Sequence, residues 1–127
     1  MDIRPSHGTH TRRVGDKIII WHVEDLWRQS SDLPRAQVDP KTIIDLDKDG
    51  WFDGTKATPR AILNHMRRIL EADVKHPVIL HPDGTVMDGA HRVCKAILLG
   101  KNLIGVVRFG QAPSPSEIRA LSPLPIN

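Results

Sequence analysis

Residues 77–100 read PVILHPDGTVMDGAHRVCKAILLG, and this stretch decides the fold class. Pro77-Val78-Ile79-Leu80 is a short apolar run rich in branched side chains, the composition of a strand. His81-Pro82-Asp83-Gly84 supplies a tight turn, because glycine reaches positive φ without steric cost and proline presets its own φ. Thr85-Val86-Met87 returns as the second arm of a hairpin. Asp88-Gly89-Ala90 then introduces a helix from about His91 to Leu99, with Gly100 placed to end it.

Working outward, Leu103 to Phe109 reads as another strand. Upstream, Thr58 is a good N-cap and Pro59 a good first helical residue, since neither position loses a backbone hydrogen bond. From Arg60 to Asp73 the pattern is amphipathic. Ile62, Leu63, Met66, Ile69 and Leu70 fall on one face, and Arg60, Asn64, Arg67, Arg68 and Glu71 on the other. Lys17-Ile18-Ile19-Ile20-Trp21 reads as a strand. His22 to Ser30 follows as a helix with Val23, Leu26 and Trp27 on one face. Gln37-Val38-Asp39-Pro40 is extended and enters a turn. The expectation is an α+β domain, a small mixed sheet with packed helices, over residues 17–110. Residues 1–16 read as a flexible arm and residues 111–127 as a Pro-rich tail.

The chain has 127 residues and a mass of 14.2 kDa, the size of one domain with a core of its own. Lys and Arg number 18 against 15 Asp and Glu, a net charge of +3. That excess suits an anionic ligand but not a protein that coats DNA. Cys94 is the single cysteine, which excludes an internal disulfide. No apolar run approaches the roughly 20 residues of a membrane span, and the N-terminus has no apolar signal core. A cytoplasmic protein with no membrane partner is expected.

Asp88-Gly89-Ala90-His91-Arg92 is the sharpest chemical feature. Gly89 lets the backbone approach a ligand closely. The first N–H groups of the following helix lack intrahelical partners and, with the helix dipole, form an anion site. Arg92 adds a forked donor and Lys95 a mobile positive charge. On a helical projection, His91, Arg92 and Lys95 share one third of the circumference, and Val93, Ala96 and Ile97 face the core. The competing structural reading makes Asp88 an N-cap paired with Arg92, and His91 a satisfied polar residue.

Residues 86–96, Val-Met-Asp-Gly-Ala-His-Arg-Val-Cys-Lys-Ala, resemble the signature of the ParB/sulfiredoxin superfamily. In that group a strand ends in Gly-x-His-Arg or Gly-x-Arg-Arg before a helix. Gly89, His91, Arg92 and Ala96 are the matched positions, Asp88 fits the Asp-Gly-x-His-Arg form, and the resemblance extends over residues 38–109. It implies a ParB/sulfiredoxin-like fold with a nucleotide-phosphate pocket. Gly89, Ala90, His91, Arg92 and Lys95 would hold ATP, ADP or CTP. The superfamily includes CTP-binding partition proteins, an ATP-using sulfinic acid reductase and a kinase for free serine. This chain departs from them. Ala90 stands where the reductase has its catalytic cysteine, and Cys94 lies one turn further on. The partition proteins carry further modules that the residues after Phe109 do not supply. A kinase would need a base and a metal-binding acid. His65 is the candidate base, and Asp88 would hold a magnesium ion or orient Arg92; Asp88, His91 and His65 are thus the candidate catalytic set.

The expected function is binding of an anionic ligand, a nucleotide phosphate, extending to phosphoryl transfer or hydrolysis; enzymatic activity is left open. The alternative is a non-enzymatic nucleic-acid or protein binding module, with Arg60, Arg67 and Arg68 as a basic patch. Three further features carry less. Asp45-Leu46-Asp47-Lys48-Asp49-Gly50 resembles the first half of a calcium loop, and Asp53 sits at the ninth position. Lys56, however, stands where a bidentate glutamate is needed, and an acidic surface turn or pocket mouth is favoured. Trp51 and Phe52 are expected over the core rather than on a nucleobase. His7 and His10 lack an acidic or cysteine companion for a metal.

Overall fold

Three consecutive apolar residues with no polar alternation imply a strand covered on both faces, and Val78–Leu80 is such a strand. The computed structural model describes residues 8–52 and 56–121. In it, strand β4 (Val78–Leu80) is buried throughout and lies inside a four-stranded sheet. The order is β3 (Ala36–Val38), β6 (Ile104–Arg108), β4, β5 (Val86–Asp88). β4 and β6 run parallel, and the other pairs are antiparallel.

The side chains of this sheet divide by the strand period of two. Val78, Leu80, Ile104 and Val106 pack with Val93 and Ala96 of helix α3 (Ala90–Leu98). Ile79, Met87, Val107 and Phe109 pack on the opposite side, with Leu26 of helix α1 (Val23–Ser30) and with Trp21. One mixed sheet thus separates two apolar clusters, and α3 and α1 cover its two faces.

A second sheet completes the fold and corrects the expected boundaries. Its order is β1 (Thr9–Val14), β2 (Lys17–His22), β7 (Glu117–Ala120), all antiparallel. Residues 9–14 are therefore a strand and not an arm, and the tail contributes an edge strand. Neither announces itself by hydrophobic alternation: β1 carries Thr, His and Arg, and its burial is shallow. The missed local signal is the two-residue hairpin turn Gly15-Asp16, with Gly15 at φ 62°. The tail is fastened before it reaches β7. Trp21 Nε1–H donates to Pro113 O at 2.9 Å. Ser116 Oγ accepts from His22 N at 2.8 Å and donates to Asp25 Oδ2 at 2.6 Å. Gln29 bonds the backbone of Ser114 with both ends of its amide.

Helix α2 (Pro59–Glu71) begins as its sequence dictates. Thr58 Oγ1 accepts from Ala61 N, and Pro59 opens the first turn. Its burial is unexpected, because no residue of α2 is fully buried. Ala61, His65 and Ile69 are half-buried, while Ile62, Leu63, Met66 and Leu70 are exposed. The expected apolar face is split because α3, with Ile43 and Ile44, already covers that side of the sheet. α2 therefore rests on a helix through its edge and not on the sheet through its stripe. Among the described residues no helix is long and apolar enough to cross a membrane.

Removing residues 111–127 takes away β7 and the partner of the Trp21 indole. A chain ending at Gly110 is expected to lose at least about 2 kcal/mol of stability, read as a drop in thermal midpoint of roughly 10 °C. An unchanged midpoint would show that the tail is dispensable to the fold.

Candidate functional site

The joint between β5 and α3 is made by Gly89, which has φ 116° and precedes the first turn of α3. That φ belongs to glycine, and a Cβ there would also stand 3.0 Å from Arg92 Nη2. The close approach follows from where Arg92 goes. Its Nη2 donates to Asp88 Oδ2 at 2.7 Å, and its Nη1 donates to Pro77 O at 3.1 Å. Trp27 Nε1–H donates to the same Asp88 oxygen at 2.9 Å. The side chains of Arg92 and Asp88 are only 9% and 10% exposed, so this is a buried, hydrogen-bonded ion pair. It joins β5, the entry to β4, α3 and α1.

Lys95 is engaged as well. Its Nζ donates to Leu70 O at 2.8 Å and to Ala72 O at 2.7 Å. These carbonyls belong to the negative end of α2, where a cation is favoured. Lys95 thus clamps α2 onto α3.

His91 and His65 come together. Their Nε2 and Nδ1 atoms lie 2.9 Å apart, so one ring donates and the other accepts across one N–H···N bond. Trp51 stacks on both, at 4.5 Å and 7° from His65 and at 4.8 Å and 5° from His91. Phe52 meets His65 edge-on at 5.4 Å. Asp49 Oδ1 aims this aromatic pair by accepting from the backbone N–H groups of Trp51 and Phe52. Burial, followed by the positive charge of Arg68, holds His65 below the ordinary histidine pKa.

The expected site residues are thereby divided. His65 and His91 adjoin the start of α3 formed by Gly89 and Ala90. That start has no side-chain cap on Gly89 and no acidic residue in its first turn. Asp88 is a pairing partner for Arg92 rather than an N-cap. Its Oδ2 accepts from both Arg92 and Trp27. Arg92 is turned to Asp88 and Pro77 O, and Lys95 to the C-terminal carbonyls of α2. Trp51 and Phe52 were expected over the core, yet they cover imidazoles. The signal for them was Asp49, which is spaced to bond their backbone.

The remaining candidates lie elsewhere. Asp45 and Asp47, with Asp83, line an open depression of about 570 Å³ between residues 41–47 and the β4–β5 turn. Asp83 is held far below the carboxylate range, first by hydrogen bonds from Thr85 and then by Arg12, whose Nη1 lies at 3.0 Å. Among the described residues no group of three His, Cys, Asp or Glu is placed to hold a metal. Asp53 and His7 lie outside the described residues. His10 is packed on Trp21 at 5.8 Å, and its buried Nε2 has no hydrogen-bond partner among the described residues. Burial pushes the Cys94 thiol up, away from the reactive thiolate.

Two outcomes test this geometry. Arg92→Leu leaves the Asp88 carboxylate buried and unpaired, and is expected to cost about 3–5 kcal/mol in urea unfolding. Adding Asp88→Asn should recover part of that loss, and a purely additive pair would contradict the coupling. The second outcome concerns pH. His10 and His65 are both lowered from 6.5, chiefly by burial. The unfolded chain therefore takes up their protons first as pH falls below 6.5. Stability is full above that value and declines on acidification below it. His65→Gln should flatten part of this slope in denaturant midpoints; a midpoint that rises on acidification would refute it.

Comparison of the chain with protein-family models, with curated proteins and with solved structures finds no match.

Proposed function

We propose that the domain binds an anionic ligand, a nucleotide phosphate, at the N-terminal turn of α3 beside the His65–His91 pair. Phosphoryl transfer or hydrolysis is the chemistry such a site would serve. One observation carries the reading. The start of α3 has neither a side-chain cap nor an acid, and its second residue, His91, is hydrogen-bonded to His65. A helix start of this kind favours negative charge, and an imidazole beside it can add a donor. The resemblance of Asp88-Gly89-Ala90-His91-Arg92 to the ParB/sulfiredoxin signature supports the same location.

The parts take distinct roles. The backbone of Gly89 and Ala90 and the ring of His91 would meet the phosphate. His65 would tune His91 and relay a proton through the shared hydrogen bond. Trp51 shields the outer faces of both rings from water. Arg92 and Lys95 act as positioning residues that fix α3 from behind. Magnesium would arrive on the nucleotide rather than on Asp88. A phosphate also favours the charged form of His65, which burial disfavours in the free domain, so affinity would rise on acidification. The alternative nucleic-acid reading would use the exposed Arg60, Arg67 and Arg68 of α2.

Calorimetric titration with ATP, ADP, CTP and GTP, with and without magnesium, tests the proposal. Wild type should bind one of them saturably. His91→Ala should lose tenfold or more in affinity, about 1.4 kcal/mol, while keeping its thermal midpoint. Arg92→Ala is no clean probe, because that side chain holds the fold. No saturable nucleotide binding, or equal binding by His91→Ala, would overturn the assignment.

A further inference from the structure

Strand β1 presents His10 and Arg12 on one face, by the strand period of two. The two are held very differently. The Arg12 guanidinium reaches His81, Asp83 and Thr85 at the β4–β5 turn. His10 rests on its cross-strand partner Trp21, with ring centroids 5.8 Å apart and planes tilted by 31°. Its Nε2 is shut off from solvent and has no hydrogen-bond partner among the described residues.

A neutral imidazole tolerates that place. An imidazolium does not, because both ring nitrogens then carry a hydrogen in need of an acceptor. The charged groups around the ring come from three elements. Arg12 lies on the same strand, His81 and Asp83 belong to the β4–β5 turn, and Asp88 ends β5. Arg12 and His81 oppose a proton on His10, and the two carboxylates favour one. Both carboxylates are engaged elsewhere, Asp83 by Arg12 and Thr85, and Asp88 by Arg92 and Trp27. Neither bonds the buried Nε2. From β2 the ring meets Trp21, while His22 lies on the opposite face, against Glu117 at 3.0 Å. Burial, followed by Arg12 and His81, holds His10 below the ordinary histidine pKa.

When a proton arrives, one of the two cations must yield. Asp83 is held far below the carboxylate range and stays ionised, so Arg12 keeps its anchor. The residues before it are held less. β1 is an edge strand with a ladder on one side only. Gly8 O accepts from Val23 N at 3.0 Å, which satisfies one of the unpaired N–H groups that open α1. His22, the N-cap of α1, supplies no side-chain bond there.

We propose that His10 is an acid-released latch: neutral, it seats residues 8–11 on Trp21, and protonated, it lifts them away about Arg12 as a hinge, uncovering Trp21 and the first turn of α1. The lifted ring takes a proton more readily than the seated one. The open form therefore gains on the closed one as pH falls through the histidine range, while the four-stranded sheet stays folded.

Hydrogen exchange on the full chain at pH 7.5 and pH 5 tests the proposal, expressed as protection so that the chemical pH dependence of exchange cancels. Residues 8–11 and the Val23 amide should open without β4 and β6, with lower protection at both pH values. They should lose about tenfold more at pH 5. The indole proton resonance of Trp21 should shift along the same titration. His10→Phe keeps a ring on Trp21 but takes no proton, so its residues 8–11 should be equally protected at both pH values; circular dichroism checks that it folds. His81→Gln leaves the latch in place and should still respond. The proposal is overturned by unchanged protection at pH 5, by opening of residues 8–11 only together with β4 and β6, or by a response that persists in His10→Phe. A response abolished by His81→Gln would overturn it as well, by assigning the switch to His81.

Discussion

The buried ion pair of Asp88 and Arg92 is the constraint on which the rest of the structure depends. Taking two charges out of water costs several kcal/mol per ion unless hydrogen bonds replace the lost hydration. Here they do. Arg92 gives one donor to the carboxylate and another to Pro77 O, and the indole of Trp27 adds a second bond to the same carboxylate. Because these partners come from α1, β5, α3 and the segment entering β4, the pair fixes four pieces of chain at once. Its position also dictates Gly89. The guanidinium lies 3.0 Å from where a Cβ would stand, and the chain turns there with a positive φ.

Much of this was legible from one stretch of sequence. The hairpin and helix of residues 77–100 follow local rules, namely branched side chains in strands, Pro-Asp-Gly in the turn and 3.6-residue periodicity after Gly89. The direction of Arg92 was not legible. A helical projection sets it with His91 and Lys95, because the wheel knows only angles along one helix. Asp88 lies at the end of a strand, and its pull on Arg92 depends on the geometry of the joint. The direction of Lys95 was hidden for a related reason: its partners are carbonyls of a helix more than twenty residues away in sequence. Of the phosphate-binding set suggested by the motif, the two strongest cations are turned to structural use.

The strands β1 and β7 show where periodicity fails. A strand at the edge of a sheet need not bury one face, so Thr9-His10-Thr11-Arg12-Arg13-Val14 has no apolar alternation to read. What holds it is the backbone ladder to β2 and the reach of Arg12 to Asp83 and Thr85 at the β4–β5 turn. That contact links the two sheets through polar groups, which a search for hydrophobic period cannot see. The Trp51–His65–His91 stack is a similar case. Each residue was visible, but their meeting depends on a loop whose backbone is shaped by Asp49.

Helix α2 then presents two separate faces from one amphipathic pattern. Amphipathicity states that a helix has an apolar face, and the side that the core leaves available decides which residues cover it. Since α3 already closes the sheet, α2 can touch the domain only along Ala61, His65 and Ile69, and its stripe is left outward. His65 and Met66 are neighbours in sequence but lie on these two different faces. Any partner that settles on the stripe would restrain α2 as a rigid body, and the restraint would reach α3 through the His65–His91 hydrogen bond and through Lys95. Coupling of this kind needs no movement of the Asp88–Arg92 joint. It needs only that α2 be the less firmly held of the two helices, which its lack of any fully buried residue provides.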